Sequence, residues 1–334
     1  MTRYFFISTR YRQGYQLALF TFLLAFVVIL LGAYTRLTDA GLSCPDWPHC
    51  YGYLTAPHTT AQLAGAMQSY PLQPVDIKKA WTEMTHRYFA GTEGLLILLL
   101  SFSLLFSRRL KDPKARVIAI ALIFLLSIQV MLGMLTVTEK LKPAIVLSHL
   151  LTGISILSVL WWAYLELPVR DASFFTSKGR RRTRSACWLA LACLILAIQI
   201  SLGGWVSTHY AGLACVDFPY CNGQLIPHLQ FDKLNSDLIT IHMLHRIGAL
   251  ITAIYVSILA LCLLLNPALR ALALVMLALI ALQLSLGILN IIWLRPITIA
   301  LFHQAVAIIL LLTLITAWVK TSFLTGKRYD SRIA

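Results

Sequence analysis

The chain has 334 residues, of which 59% are hydrophobic and only 12% are charged. A soluble protein carries about 25% charged residues, so this composition excludes an ordinary soluble domain and indicates burial in lipid. The net charge of +15 could indicate nucleic acid binding. We attribute it to the excess of Lys and Arg on the cytoplasmic side of membrane proteins, and we predict no nucleic acid partner.

Eight windows of the sequence reach the ~20 mainly apolar residues that a membrane-spanning helix needs. The first window follows Arg3, Arg10 and Arg12 and is too long for a signal-peptide core, so we interpret it as an uncleaved membrane anchor. The windows are 14–37, 82–106, 115–137, 144–167, 185–208, 238–265, 269–292 and 297–320.

The distribution of basic residues predicts the topology. Eight spans place both termini on the same side of the membrane. Of the 28 Lys and Arg residues, nineteen fall in the terminal segments or in the loops after the second, fourth and sixth spans, and seven fall in the other loops. The positive-inside rule therefore predicts that both termini are cytoplasmic and that the loops after the odd-numbered spans face outward.

The two halves of the chain repeat one another. Residues 32–52 read GAYTRLTDAGLSCPDWPHCYG, and residues 203–223 read GGWVSTHYAGLACVDFPYCNG, at a constant offset of 171 residues. Four spans per half give both halves the same orientation, so we predict an all-α membrane protein built from two parallel four-helix bundle repeats, 1–170 and 171–334. Later matches keep the same order: His86-Arg87 with His245-Arg246, Gln129 and Gly133 with Gln283 and Gly287, and His149 with His303.

Two cysteine pairs lie in the predicted outer loops, Cys44 with Cys50 and Cys215 with Cys221. Because that side is oxidising, we predict a disulfide within each pair. Two roles stay open: a structural staple for the loop, or redox exchange with a thiol partner. A metal site is the weakest reading, since five intervening residues are not a usual zinc spacing.

Intramembrane histidines are the main functional signal, because ionisable side chains are costly in lipid. Four of them share one depth, ~8–12 Å below the outer surface at 1.5 Å per residue, with His86 and His149 in one repeat and His245 and His303 in the other. Facing histidines on two helices can ligate a heme iron from both sides. A zinc site would need three or four ligands. We therefore predict one heme in each repeat, with interhelical hydrogen bonding as the alternative.

The repeats differ beside these histidines. Glu83 stands three residues before His86, whereas His242 stands at the matching place before His245. Glu83 is a candidate general base or stabiliser of a developing cation. His242 is expected to bond a heme propionate or tune its heme. Glu93, seven residues after His86, either extends a proton path or stays a neutral buried acid.

The residues that follow the two histidines are also a matching pair. Arg87 and Arg246 are expected to bind heme propionates, with snorkelling to the membrane interface as the alternative.

In these features the chain resembles the heme A synthase family over nearly its whole length. The shared features are eight spans in two repeats, the Cys-x5-Cys loops, Glu83-x-x-His86-Arg87 and the three further histidines. The resemblance implies oxidation of a ring methyl of heme O to a formyl group, which gives heme A for cytochrome oxidase. The roles it implies are heme O on His86 and His149, a permanent heme b on His245 and His303, Glu83 as the catalytic acid, and Cys44 and Cys50 in activity or redox supply.

The resemblance also implies partners and a location. These are heme O synthase, cytochrome oxidase assembly factors and the lipid of a bacterial inner membrane; the sequence leaves open whether the chain forms a homo-oligomer. Two rival functions stay open on the sequence: a bis-histidine heme protein that transfers electrons from quinol or a thiol without modifying heme, and a transporter. The acid beside only one histidine pair favours the synthase, since a pure electron relay has no need of it.

Overall fold

The computed structural model describes residues 2–106, 113–166 and 184–330, with side chains for 14–106, 113–166 and 185–321. The arginines of the N-terminal tail and the basic linker 168–184, on which the predicted topology partly rests, lie outside the described side chains. The chain divides into two compact units, Met1–Pro168 and Val169–Ala334.

Both units are helical throughout the part that the structure describes. Every predicted span corresponds to one long apolar helix, so the prediction of an all-α membrane protein with eight spans is confirmed. The first unit contains α1 (Thr2–Leu37), α2 (Thr60–Ser69), α3 (Ile77–Phe106), α4 (Pro113–Thr138) and α5 (Pro143–Glu166). The second contains α6 (Arg184–Thr208), two 3-10 turns (Ala211–Leu213 and Phe231–Lys233), α7 (Leu238–Leu264), α8 (Arg270–Ile292) and α9 (Ile297–Asp330).

The structure differs from the predicted boundaries in the loop after α1. The short helix α2 was not predicted; it begins with a capping box in which Thr59 and Gln62 satisfy each other's backbone N–H groups. Helix α3 begins at Ile77 rather than at residue 82, because the Asp76 carboxylate accepts a hydrogen bond from the Lys79 backbone N–H at 3.0 Å. The first turn of α3 is polar, so the apolar window that predicts the span begins only after it.

The same packing order holds within each unit. In the first, α1 and α4 each pack against both α3 and α5; in the second, α6 and α8 each pack against both α7 and α9. Large aliphatic side chains such as Ile97 and Leu160 are fully buried between the helices. Others, such as Phe124 and Leu250, are more than half exposed. Exposed apolar side chains on long helices are what a lipid-facing surface requires.

Candidate functional site

The two cysteine loops have the same local structure. A disulfide joins Cys44 to Cys50, and another joins Cys215 to Cys221. In the first loop, the Asp46 carboxylate accepts hydrogen bonds from the backbone N–H groups of Tyr51 and Gly52 at 2.6 and 2.8 Å.

The loop of the second unit makes the same turn. Asp217 accepts from the backbone N–H groups of Asn222 and Gly223, both at 2.9 Å. Gly223 and its counterpart Gly52 have φ angles of +78° and +81°, a region that favours glycine. Each acid therefore holds its loop closed around a disulfide.

Local charges, hydrogen bonds and burial shift the pKa values of two residues in these loops, Asp217 and Tyr51. The backbone N–H of Gly223, with that of Asn222 and the charge of Arg246, holds the pKa of Asp217 below its usual range. Burial raises the pKa of Tyr51, and the negative charges of Glu83, Asp46 and Asp76 raise it further. The Asp217 carboxylate therefore stays ionised and the Tyr51 phenol stays neutral across the physiological range.

Each of the four predicted ligand histidines packs against a glycine of a neighbouring helix. A Cβ added at Gly32 would lie 3.0 Å from Cε1 of His86, and one at Gly203 would lie 3.0 Å from Cε1 of His245. The second histidine of each unit is seated in the same way, His149 against Gly133 and His303 against Gly287, each at 3.2 Å. Both distances are shorter than ordinary carbon–carbon contacts of 3.5 to 4.0 Å, so only glycine admits these rings without movement.

The rings of the second unit have the spacing that two axial ligands of one metal require. The centroids of His245 and His303 are 6.4 Å apart, and the rings are 76° from parallel. A metal–imidazole bond is about 2.0 to 2.1 Å, and the ring centre lies about 1.1 Å beyond the nitrogen, so two facing ligands have centroids roughly 6.3 Å apart. The ring spacing in this unit is therefore compatible with one metal ion held between the two histidines.

The donor set also fits heme better than a bare metal ion. Nδ1 of His86, His149 and His303 is buried without a hydrogen-bond partner, which is costly unless a ligand occupies the site. Within the described part of the chain, no three His, Cys, Asp or Glu side chains come together to hold a metal ion. Two nitrogen ligands per unit, without a third protein ligand, match the axial positions of heme iron.

Glutamines accompany three of the four histidines. The amide nitrogen of Gln129 lies 3.4 Å from Nε2 of His149, and that of Gln283 lies 3.2 Å from Nε2 of His303. The amide nitrogen of Gln199 lies 2.9 Å from Nδ1 of His245 and donates to its main-chain oxygen at 3.0 Å. The sequence comparison identified Gln129 and Gln283 as a repeated pair but did not single out Gln199.

Glu83 is buried, with 4% of its surface exposed. Its carboxylate accepts a hydrogen bond from an Arg87 guanidinium nitrogen at 2.6 Å and another from the Cys44 backbone N–H at 2.9 Å. The candidate base is therefore held by a cation one turn along α3 and by the disulfide loop. Sequence reasoning placed Glu83 beside His86 but missed the contact with Cys44.

Arg87 joins the cysteine loop to α3. It donates to the carbonyl oxygens of Asp46 at 3.0 Å, His49 at 2.8 Å and Pro48 at 3.4 Å. These bonds occupy a guanidinium nitrogen that the sequence analysis expected to be available to a propionate. Its pairing with heme stays a prediction, whereas its hold on the loop is a feature that the sequence did not reveal.

The second unit has no carboxylate at this place. Nδ1 of His242 donates to the Ala211 carbonyl at 2.8 Å. Arg246 donates to the carbonyl oxygens of Cys215 at 2.8 Å and Tyr220 at 2.9 Å, while its buried Nε has no hydrogen-bond partner. The Glu83–Arg87 ion pair thus has no counterpart at the matching positions, where the residues are His242 and Arg246.

Comparison with known proteins supports one family. The model of the COX15-CtaA family, described as cytochrome oxidase assembly protein, matches residues 15–315. A heme A synthase of Shewanella oneidensis is 41% identical over 326 residues, which cover 90% of this chain and 96% of that protein. Heme A synthases of Neorickettsia sennetsu and of a Chelativorans species are each 28% identical and each cover 86% of this chain. The chain therefore belongs to the COX15-CtaA family of cytochrome oxidase assembly proteins.

Proposed function

We propose that this integral membrane protein is a heme A synthase that oxidises a ring methyl group of heme O to the formyl group of heme A. The observation that carries the proposal is the difference between the units: both have a paired set of glycine-seated histidines, but only the first has a buried carboxylate one turn before a histidine. Similarity to heme A synthases along most of the chain gives the reaction class.

In this proposal the first unit binds the substrate. His86 and His149 hold heme O by its iron, and Gly32 and Gly133 seat the two rings. The long apolar tail of heme O requires a site open to lipid, which four membrane-spanning helices provide.

In the second unit, His245 and His303 hold a permanent heme b. When bound, that heme supplies a route for the electrons removed from the methyl group. Gln199 and Gln283 orient the two ligands, and Gln129 does the same for His149 in the first unit. Partners such as these glutamines fix the orientation of ligand histidines, and their loss typically weakens metal affinity 10- to 100-fold.

Glu83 performs the proton chemistry in the proposed reaction. Oxidation of a methyl group releases protons and develops positive charge at the carbon, and a nearby carboxylate stabilises both changes. Arg87 and the Cys44 backbone N–H hold the carboxylate in one position before the substrate binds. His242 takes this place in the second unit, where no proton needs to be removed.

The proposed orientation follows from the basic residues. Both termini lie in the cytoplasm, the cysteine loops lie on the outer face of the bacterial inner membrane, and all four histidines lie near that face. We expect the protein to work with heme O synthase and with assembly factors for cytochrome oxidase, because its substrate and product are membrane-bound hemes.

Replacement of Glu83 by Gln tests the proposal. The amide keeps the size of the side chain but cannot accept a proton, so we expect heme A formation to fall by about 100-fold or more. Heme extracted from the purified protein should still contain heme B, with heme O in place of the heme A that the unchanged protein forms and the same total heme per chain.

The matched control is Glu139→Gln, which changes a partly exposed acid paired with Lys142. It should leave both heme content and heme A formation unchanged. Normal heme A formation by the Glu83→Gln protein would refute the role of Glu83, and purified protein without any heme would refute the proposed function as a whole.

A further inference from the structure

The environment of His86 differs from that of the other three histidines. Side-chain amides lie against His149, His245 and His303. At the position that matches Gln199, 171 residues earlier, the first unit has Val28. Val28 has no polar side-chain atom, so no side-chain amide reaches the His86 ring from this position.

A second difference accompanies the first. The amide of Gln199 fits because residue 248 is glycine: a Cβ there would lie 2.3 Å from Oε1 of Gln199 and 3.0 Å from Cδ1 of Leu202. Counted from the matching histidines, the residue that corresponds to Gly248 is Phe89. The second unit therefore combines Gln199 with Gly248, whereas the first combines Val28 with Phe89. In the first unit, a glutamine at residue 28 in the same conformation would collide with the Cβ of Phe89.

We infer that His86 is the exchangeable ligand of the first unit and that His149 is the permanent one. A glutamine amide both donates and accepts, so it restrains ring rotation in either tautomer, whereas a valine side chain does neither. Without an amide, the His86 ring turns away from a bound heme more readily than the other three rings. The inference rests on the proposed function, in which the first unit must admit a substrate and release a product while the second keeps its heme.

The exchangeable histidine lies beside the proposed base. His86 is three residues after Glu83 on α3, so the two side chains lie on the same face of that helix. When the His86 ring turns away, the ligand position that it leaves would lie beside the face of α3 that carries Glu83. The Val28–Phe89 pair therefore makes the coordination position open on the side where the proton acceptor lies.

Single replacements of the two histidines give a direct test. Purified full-length His86→Ala protein should retain heme in both units and bind carbon monoxide fully in the first unit after reduction. His149→Ala protein should lose the heme of the first unit, with an affinity decrease of about 10-fold or more. The opposite pattern, or equal heme loss in both variants, would overturn the inference.

Transfer of the residue pair between the units gives the second test. In the Val28→Gln, Phe89→Gly double variant, carbon monoxide affinity in the first unit should fall by about 10- to 100-fold at unchanged heme content. Phe89→Gly alone is the matched control and should bind carbon monoxide as the unchanged protein does. In the second unit, Gln199→Val should make a heme reactive with carbon monoxide that is unreactive before the change.

Heme content separates the two possible failures. If the unchanged protein contains heme but binds no carbon monoxide, or if the double variant binds it as strongly as the control, the inference is wrong and the proposed function stands. If the unchanged protein contains no heme, the proposed function itself fails.

Discussion

Replacement of Gly203 by Ala tests whether the close contacts between the glycines and the histidine rings determine heme binding. The added Cβ would lie 3.0 Å from Cε1 of His245, at least 0.5 Å closer than the ordinary carbon–carbon contact of about 3.5 to 4.0 Å. The His245 ring must therefore move by roughly 0.5 to 1 Å, whereas functional groups tolerate a displacement of only about 0.5 Å. Overpacking of this kind costs about 1 to 3 kcal/mol.

If that cost falls on the heme-bound state, heme affinity should decrease by about 5- to 150-fold, since each 1.4 kcal/mol is a factor of ten. The assay is the amount of heme per chain after purification in detergent, followed by a titration with added heme. Gly287→Ala, where the contact is 3.2 Å, should have a smaller effect.

The matched control is Gly91→Ala on α3, because a Cβ there meets nothing within 4 Å. Alanine is favoured over glycine within helices, so this variant should keep its heme and gain stability, by up to about 1 kcal/mol. Full heme content and an unchanged absorption spectrum in the Gly203→Ala protein would refute the conclusion that close packing positions His245.

Three further predictions concern the cysteine loops. Arg87→Gln leaves the buried Glu83 carboxylate without its cation, so the first unit should lose about 3 to 5 kcal/mol of stability. Thermal unfolding measures this loss, with Arg246→Gln for comparison. Equal stability in the Arg87 variant and the unchanged protein would contradict the prediction. Cys44→Ser opens a disulfide that closes a short loop and should lower the stability of that loop by about 2 kcal/mol. The loss is measured as faster hydrogen exchange in the loop. Unchanged exchange would show that the disulfide does not stabilise the loop. The folded-state pKa of Asp217 is depressed, so its carboxylate stabilises the second loop above the ordinary Asp pKa, and this stabilisation is lost as the pH falls through the lower, folded value. Hydrogen exchange of the Asn222 and Gly223 amides should therefore become faster in acid, and Asp217→Asn should abolish this pH dependence. An unchanged pH profile in the variant would refute the role of the carboxylate.

The sequence was sufficient for the architecture because the signals that specify it are local. Long apolar windows predict spanning helices, since a helix satisfies its own backbone hydrogen bonds in lipid. The repeat located His86, His149, His245 and His303 and showed that Glu83 has no acidic counterpart. The short helix α2 was not predicted because its ten residues contain neither a long apolar run nor a strong amphipathic pattern.

The tertiary structure decided which groups contact those side chains. Gly32 and His86 are far apart in the sequence, as are Cys44 and Glu83, so no local pattern predicts that a glycine seats the ring or that a loop amide holds the acid. The sequence alone predicted two similar units, each with four spans and one histidine pair, because the apolar spans and the repeat depend only on the order of residues along the chain. The partners of each histidine follow from packing between helices, and packing depends on distances that only the folded chain defines.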